Sequence, residues 1–264
     1  MTGPSNQTIS VIIPVWNEAR LLRPLVERLR AIDDLTADKA SNDNFPRPVE
    51  IIVSDCGSDD GTVESVESEA ITVTSPRGRA VQMNRGAAEA TGDILWFLHV
   101  DCFPLENALD LIRTTMNDPD TVAGGFRWDL TGGRWYYPLA TGLAHSKNRL
   151  RKNLFGDMGI FVRRKVFEEL GGYREIPVFE EVELNSRLRK KGKIVLLDEK
   201  LPSSDRKLVA EGPVKAFVKN DILKILYSLG VSPGRLARMY RARADSDTSA
   251  AGCGNDTTGK MEEY

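Results

Sequence analysis

The segment Ile9-Ser10-Val11-Ile12-Ile13-Pro14 decides the fold, because it is a short apolar run, rich in β-branched residues, that stops at a proline. This pattern is typical of a strand buried on both faces, and such strands belong to parallel sheets. After Asn17, whose side chain suits a helix N-cap, apolar residues recur with helical spacing from Leu21 to Ile32. We therefore predict a strand and then a helix, with Pro24 marking a late start or a bend.

The same pair of elements repeats through the first hundred residues. Strands are predicted at 50–55, 71–75 and 94–100, with helices at 62–70 and 80–91 between them. This alternation favours an α/β fold, in which a doubly wound, mostly parallel sheet is flanked by helices. Ligands of such sheets bind outside the carboxyl ends of the strands, so we expect the functional site at that edge.

The second half of the chain is less regular. Strands are predicted at 122–130, 159–163 and 194–197, and helices at 135–153, 164–170, 179–191 and, as a pair, within 214–243. The polar stretch Asp33 to Pro48 is predicted to be a surface insertion between the first helix and the second strand. Residues 244–264 lack periodicity, which predicts a disordered tail.

The composition is that of an ordinary globular protein. Of the 264 residues, 41% are hydrophobic and 28% are charged, which excludes collagens, coiled coils and wholly disordered chains. Thirty-six Lys and Arg residues stand against 38 Asp and Glu residues, a formal net charge of -2. We therefore expect no nucleic-acid partner, because no overall basic field would attract one.

Cysteine usage and hydropathy bear on localisation. Cys56, Cys102 and Cys253 lack the spacing of a disulfide framework or a zinc site, which favours a reducing compartment. The first ten residues do not match a secretory signal, and no run of about 18 apolar residues occurs. We expect a soluble, cytoplasmic protein. Apolar and basic faces between Val214 and Arg243 suit packing on the core or, alternatively, a peripheral contact with a membrane surface.

Polar side chains follow three of the predicted strands at the edge where a ligand would bind. Asn17 and Glu18 follow the first strand, and Asp55 ends the second. His99 and Asp101 end the most apolar strand, on the same face of an extended chain. Each alone is also explained as a helix cap or a hydrogen-bonded edge residue, but together they favour a ligand or metal site. Asp101 is the stronger candidate for binding Mg²⁺ or Mn²⁺.

Two further segments carry charges suited to phosphate or proton chemistry. Ser75-Pro-Arg-Gly-Arg79 places two guanidinium groups just before a predicted helix, where anions bind well. Glu180 and Glu181 open another helix, where acidic residues often only complement the helix dipole. Alternatively, one of these carboxylates accepts a proton from an attacking hydroxyl group, its pKa raised by the neighbouring like charge.

Taken in order, five motifs resemble the large family of inverting GT-A nucleotide-sugar glycosyltransferases of the family 2 type. The motifs are Val11 to Glu18, Val53 to Thr62, Ser75 to Arg79 with Asn84-Arg-Gly86, Leu98 to Asp101, and Glu180-Glu181. The resemblance covers the chain from Ser10 to Lys207. Phe155 to Arg163 and Leu229 to Arg238 are similar to a subgroup named for its association with radical-SAM or selenium-domain proteins.

The resemblance implies a fold, a domain plan and an activity. A GT-A domain would cover residues 1–243, with a nucleotide-binding half near 9–102, an acceptor half near 120–207 and C-terminal helices at 213–243. The implied enzyme is a hexosyltransferase-type glycosyltransferase. It would move a sugar from a nucleoside diphosphate sugar to a hydroxyl acceptor with inversion, assisted by Mg²⁺ or Mn²⁺.

The resemblance also implies roles for single residues. The nucleotide sugar would be bound by residues at the strand ends and in the loops beyond them: Pro14, Asn17, Glu18, Asp55, Arg79, Asp101 and Arg206. Within this set the first three would line the nucleoside pocket, Asp55 would bond the base, Arg79 would lie near the base or diphosphate, and Arg206 would contact the diphosphate. Gly156 and Asp157 would border the acceptor.

The implied catalytic groups are a base and a metal. Glu181 stands at the second position of the family's Glu-Asp pair, whose carboxylate is the general base, and Glu180 is the alternative base. Asp101 stands at the metal-binding aspartate of the D-x-D motif, and His99, which replaces the first aspartate, is the second candidate ligand.

Departures from the family pattern leave two other functions open. Besides His99 and Glu181, the segment Ser204 to Lys207 lacks the tryptophan of the Q-x-x-R-W motif. If these changes have abolished turnover, the chain is a non-catalytic nucleotide-sugar-binding protein. A sugar-nucleotide pyrophosphorylase has a similar sheet, but it requires a glycine-rich basic loop after the first strand, which Pro14 to Glu18 lacks.

Overall fold

A computed structural model describes residues 7–39, 48–206, 209, 222–227 and 229–239. It contains one seven-stranded sheet flanked by helices, which confirms the predicted α/β class. The strands are β1 Ile9–Val15, β2 Glu50–Asp55, β3 Ile71–Thr74, β4 Ile94–Phe97, β5 Thr121–Leu130, β6 Ile160–Arg163 and β7 Lys193–Ser203. The helices are α1 Ala19–Lys39, α2 Arg79–Glu89, α3 Ala108–Met116, α4 Tyr137–Arg151, α5 Arg164–Glu169 and α6 Glu180–Leu188. Residues 222–227 and 233–239 are also helical.

The strand order is β3-β2-β1-β4-β6-β5-β7. β1 pairs in parallel with β2 and β4, and β2 pairs in parallel with β3. β6 is antiparallel to both β4 and β5, whereas β5 and β7 are parallel. The carboxyl ends of β1 and β2 lie side by side, with Val15 opposite Asp55. The loops that follow β1, β2 and β4 therefore start from the same edge of the sheet.

β1 is buried on both faces, as its sequence predicts. Val11 and Ile13 pack on the side of α1 and α3, whereas Ile12 packs on the side of α2. None of the three has measurable exposure to solvent. Burying an aliphatic side chain of this size stabilises a fold by about 1.5–3 kcal/mol. The alternating contacts of one strand thus join the two halves of the core.

Several secondary-structure predictions need correction. The strand expected at 94–100 ends at Phe97, so His99 and Asp101 lie in the turn after β4 and not on one face of an extended strand. The helix expected at 62–70 is only a 3₁₀ turn at Glu64–Val66, and the strand expected at 194–197 extends over Lys193–Ser203. The sequence reading also missed α3. Within the predicted insertion at 33–48, α1 continues to Lys39, and the buried Asp33 carboxylate accepts a hydrogen bond from the Val49 amide at 2.8 Å.

Pro24 lies inside α1, which begins at Ala19, so Pro24 does not delay its start. Asn17 is not the N-cap of this helix, because the Glu18 carbonyl accepts the first helical hydrogen bonds, from Leu21 at 2.9 Å and Leu22 at 3.0 Å. The side chain of Asn17 instead forms hydrogen bonds to Asp59, in the loop after β2.

The C-terminal segment packs on the core in part. Leu223 and Leu236 are buried, whereas Ile222 and Ile225 are exposed. The described part of the chain has no helix that is long and apolar enough to cross a membrane. The predicted tail at 244–264 lies outside the described residues, as do 213–221, 228 and 240–243 of the predicted C-terminal helices.

Gly124 on β5 allows the Phe161 ring and the Val195 carbonyl to approach its backbone more closely than any side chain would permit. A Cβ atom there would lie 2.4 Å from the Phe161 ring and 2.8 Å from the Val195 carbonyl oxygen. We expect Gly124→Ala to lower the free energy of unfolding by about 2 kcal/mol, because the buried ring and the backbone must both shift. Gly142→Ala is the control, since its Cβ would approach only the Arg127 guanidinium, at 3.5 Å. Urea denaturation measures both, and equal midpoints for the two variants would contradict this packing.

Candidate functional site

The loops after β1 and β2 are locked together at the carboxyl edge of the sheet. Asn17 adopts a left-handed conformation, with φ at 52°, and its amide donates to Ser58 Oγ at 2.8 Å. Its side chain donates to Asp59 Oδ1 at 2.9 Å and accepts from the Asp59 amide at 3.0 Å. The Glu18 amide donates to Thr62 Oγ1 at 2.9 Å. Together these bonds fix the shape of both loops.

Asp55 is buried and organises the loop that follows it. One carboxylate oxygen accepts from the amides of Gly57 at 2.8 Å and Ser58 at 3.0 Å, and the other accepts from Ser58 Oγ at 2.5 Å. Asp55 lines neither of the two cavities described next. Its position at the strand end agrees with the sequence analysis, but its carboxylate contacts its own loop.

The smaller cavity, of about 210 Å³, lies at the ends of β1 and β4. It contains five of the residues predicted to contact a ligand: Pro14, Glu18, Arg79, His99 and Asp101. Arg206 approaches this group, because its guanidinium lies 3.6 Å from the Glu18 carboxylate. The structure therefore brings together residues that are far apart in sequence.

The larger cavity, of about 790 Å³, adjoins the smaller one at Arg79, which lines both. The predicted residues Gly156, Asp157, Glu180 and Glu181 all line it. The two glutamates are in the first turn of α6, immediately after a residue in the left-handed region. Both are nearly inaccessible to solvent.

Arg79 is the electrostatic link between the two cavities. It is the first residue of α2, and its Nη1 lies 3.3 Å from Glu181 Oε1 and 3.9 Å from Glu180 Oε1. A single guanidinium therefore faces two adjacent buried carboxylates. This arrangement holds negative charge at the junction of the cavities and also presents a cation to the smaller one.

Gly156 separates the smaller cavity from the acidic pair. A Cβ atom at this position would lie 2.3 Å from His99 Nε2 and 3.0 Å from Glu181 Oε1. His99 Nδ1 lies 3.1 Å from Asp157 Oδ1. His99 and Glu181 therefore flank one glycine, and Asp157 orients the imidazole.

The buried acidic pair has an unusual proton affinity. Burial is the main cause that raises the pKa of Glu180 to about 7; the charge of Glu181 raises it further and Arg79 partly offsets both. Burial also raises the pKa of Tyr173 well above its usual range, with added contributions from both glutamates. Near neutral pH, Glu180 is thus divided between its protonated and ionised forms.

His99 and Asp101 fit part of a metal site. Asp101 lines the smaller cavity, and Mg²⁺ is commonly held by one or two carboxylates together with substrate phosphates. The Nε2 atom of His99 is buried without a hydrogen-bond partner among the described residues. In this part of the chain, no group of three or more His, Cys, Asp or Glu side chains is close enough to hold a metal.

Two site residues were missed by the sequence analysis. Trp16 lines the smaller cavity, is 45% exposed, and has the Arg77 guanidinium 3.7 Å above its ring. The sequence feature that could have identified Trp16 is an aromatic residue just after a predicted strand, at the edge of the sheet where ligands bind. Gln82 also lines this cavity, and its side chain donates to the carbonyls of Val15 at 2.7 Å and Ser54 at 2.9 Å. No local pattern predicts that contact.

The chain matches one family model and several curated proteins. The model described as Glycosyl transferase family 2 matches residues 10–171. Glycosyltransferase AglE of Haloferax volcanii is 28% identical over 178 residues, which cover 62% of this chain and 55% of that protein. Pre-mycofactocin glycosyltransferase of Mycobacterium tuberculosis is 34% identical over 122 residues, 46% of this chain and 23% of that protein. The chain thus spans about half or less of these relatives.

Solved structures share the fold at low sequence identity. A mannosyltransferase from Pyrobaculum calidifontis, solved with GDP-Man and Mn²⁺, has a TM-score of 0.58 at 18% identity, covering 96% of this chain and 79% of that one. Glucosyl-3-phosphoglycerate synthase from Mycobacterium tuberculosis, solved with Mn²⁺, UDP and glucosyl-3-phosphoglycerate, has a TM-score of 0.58 at 20% identity, covering 85% and 81%. These likenesses confirm the predicted GT-A fold.

The raised pKa of Glu180 makes folding stability depend on pH. Its pKa is about 7 in the folded chain and 4.5 without perturbation, so between these values the folded state holds a proton that the unfolded state has released. Stability therefore falls as the pH rises through this window. We expect Glu180→Gln to remove this loss and to be more stable than the wild type at pH 8, by up to about 3 kcal/mol.

Thermal unfolding followed by circular dichroism from pH 4 to pH 9 measures this effect. Glu106→Gln, at an exposed position, is the control and should follow the wild-type curve. Parallel pH curves for Glu180→Gln and the wild type would show that Glu180 does not hold the extra proton.

Proposed function

Because the chain belongs to glycosyl transferase family 2, we propose that it transfers a sugar from a nucleoside diphosphate sugar to a hydroxyl group of an acceptor. The observation that carries the proposal is the pair of adjoining cavities that share Arg79. The smaller contains Asp101, from the turn after β4, and the larger contains the buried carboxylate of Glu181. This arrangement suits a donor and an acceptor that react at the junction.

The donor would occupy the smaller cavity and the edge around it. Trp16 offers an aromatic face for stacking a nucleobase, and the loop held by Asn17 forms the adjoining wall. Arg79 and Arg206 supply positive charge for the diphosphate. Asp55 would act through its loop, whose amides it holds in place.

Pro14 and Glu18, which line the same cavity, complete the proposed nucleoside side.

The relevant base and sugar can be found by thermal unfolding with UDP-, GDP- and dTDP-sugars, with and without Mn²⁺. The true donor should raise the unfolding midpoint most, because a ligand that binds only the folded state stabilises it.

A divalent cation would be held by Asp101, with His99 as the second candidate ligand and donor phosphate oxygens completing the coordination. Two structurally similar transferases were solved with Mn²⁺, which supports Mg²⁺ or Mn²⁺ as the cofactor. When bound, the ion would stabilise negative charge that develops on the departing diphosphate. Arg79 would supply further positive charge from the protein.

Glu181 is the proposed general base. It lies at the junction of the cavities, next to Arg79 and across Gly156 from His99. An acceptor hydroxyl in the larger cavity would attack the anomeric carbon while Glu181 takes its proton. The bond from that carbon to the diphosphate oxygen breaks on the opposite face, so the configuration inverts and the nucleoside diphosphate leaves. Gly156 and Asp157 would border the acceptor.

Glu180 is the competing base, because its raised pKa lies near neutral pH, where general-base catalysis works well. The geometry favours Glu181, since it is closer to the arginine that both cavities share. Family membership favours transfer over pyrophosphorylase activity. A non-catalytic nucleotide-sugar-binding protein is the other candidate; it would bind the donor tightly without hydrolysis or transfer.

We also propose the subgroup, the localisation and the domain division that the sequence predicts. The motifs at 155–163 and 229–238 favour the subgroup associated with radical-SAM or selenium-domain proteins. Cytoplasmic localisation follows from the cysteine pattern, and the exposed Ile222 and Ile225 leave a peripheral membrane contact as the alternative. We also propose the division of one domain over 1–243 into nucleotide and acceptor halves.

Replacing Glu181 by Gln tests the base assignment. We expect kcat to fall by at least about a hundredfold, because the variant keeps the shape of the side chain but cannot take the proton. Donor binding, measured by thermal stabilisation, should persist. Glu180→Gln is the matched control and should lose less than about tenfold. The reverse order of losses would assign the base to Glu180, and undiminished turnover in both variants would exclude the mechanism.

Replacing Asp101 by Asn tests the metal site without relying on turnover. In the wild type, we expect the nucleoside diphosphate of the identified donor to raise the unfolding midpoint more with Mn²⁺ than with EDTA. Asp101→Asn should remove this difference, because the carboxylate that holds the ion is lost. Asp34→Asn, on the exposed surface of α1, should retain it. An unchanged response to Mn²⁺ in Asp101→Asn would exclude Asp101 as the metal ligand.

A further inference from the structure

The larger cavity has an apolar lining that sugar transfer alone does not require. Besides the acidic pair, the lining contains the polar side chains Arg79, Lys147, Asn148, Asp157 and Lys224, but most of it is formed by aliphatic and aromatic side chains from α4, the turn before β6, the start of α6 and the C-terminal helical residues. These include Leu143, Phe155, Phe179, Val182, Leu223 and Leu236. At about 790 Å³, the cavity is far larger than one hydroxyl group needs.

We propose that the acceptor is an alcohol with a large apolar body, which occupies this cavity while its hydroxyl group reaches Glu181. This inference rests on the proposed function and specifies its acceptor class. The reacting hydroxyl lies where Arg79 and Glu181 meet, and the apolar body extends along the side chains of α4 and along Leu223 and Leu236.

The chemistry of the lining favours an apolar body over a second sugar as the main occupant. A carbohydrate carries hydroxyl groups all around its ring, and each one that is buried without a partner weakens binding. Leu223 and Leu236, both buried, offer no hydrogen bonds to such groups. An alkyl, isoprenoid or aromatic body instead gains affinity with each CH₂ group that leaves water.

The rim of the cavity supports the same conclusion. Leu143 lines it and is 65% exposed to solvent. The apolar surface of the cavity therefore continues outward onto α4. Lys224 lies with its Nζ 4.4 Å above the Phe155 ring, so even this cation in the lining rests on an apolar face. An apolar body would cover Leu143 as it enters.

A homologous series of alcohols tests the acceptor class. Transfer from the donor identified above is measured to primary alcohols from butanol to decanol, and to glycerol as the polar reference. We expect kcat/KM to rise roughly fourfold with each added CH₂ until the cavity is filled, and glycerol to be the poorest acceptor. A flat series, or glycerol as the best acceptor, would overturn the proposal.

Two leucines on one helix give matched variants. Leu143→Gln should lower the ratio of decanol to glycerol transfer about fivefold, because it places an amide on the apolar rim. Leu150→Gln changes a leucine that is 86% exposed and lies outside the lining, so it should keep the wild-type ratio. Equal ratios in the two variants would count against the cavity as the site of the apolar body.

A binding measurement separates failure of this inference from failure of the proposed function. The fluorescent probe 1-anilinonaphthalene-8-sulfonate should be displaced by decanol but not by glycerol, and Leu143→Gln should weaken decanol displacement. If the wild type neither transfers to any alcohol nor hydrolyses any donor, the proposed function fails, whereas transfer without chain-length preference removes only this inference. Transfer to hexadecanol in phosphatidylcholine vesicles is compared with transfer to decanol in buffer, which shows whether the acceptor comes from a membrane. If neither alcohol accepts the sugar, the proposal is overturned.

Discussion

Two carboxylates at the start of α6 are buried next to each other, and the chain can hold them there because one guanidinium faces both. Arg79 partly offsets the burial and the repulsion between the carboxylates that raise the pKa of Glu180 to about 7. Its guanidinium lies 3.3 Å from Glu181 and 3.9 Å from Glu180, so one cation compensates two buried acidic side chains.

The sheet brings these groups together from distant parts of the sequence. Arg79 starts the helix after β3, and Glu181 lies in α6, which precedes β7. The antiparallel strand β6 stands between β4 and β5 and follows the turn that contains Gly156. This placement brings the turn before β6 against the turn after β4 at one glycine. Any side chain there would clash with His99 and crowd Glu181.

Much of this arrangement could be predicted from local patterns. The apolar runs of β1, β2 and β4 correctly predicted these strands, and the polar residues after them predicted the edge of the sheet at which the candidate site lies. Local patterns failed where distant contacts decide the structure. The side chain of Asn17 bonds to Asp59, and Asp33 keeps the end of α1 in place by binding the Val49 amide. The apolar cavity was also beyond prediction, because its walls come from elements far apart in the chain.

The interlocked loops after β1 and β2 have a consequence for recognition. Their shape is held by hydrogen bonds within the chain itself, such as those between Asn17 and Asp59 and between Glu18 and Thr62. The conformational entropy of these loops is therefore lost during folding rather than at the moment of binding. A small molecule that arrives at this wall meets a rigid surface, so its binding enthalpy is not offset by the cost of ordering the backbone.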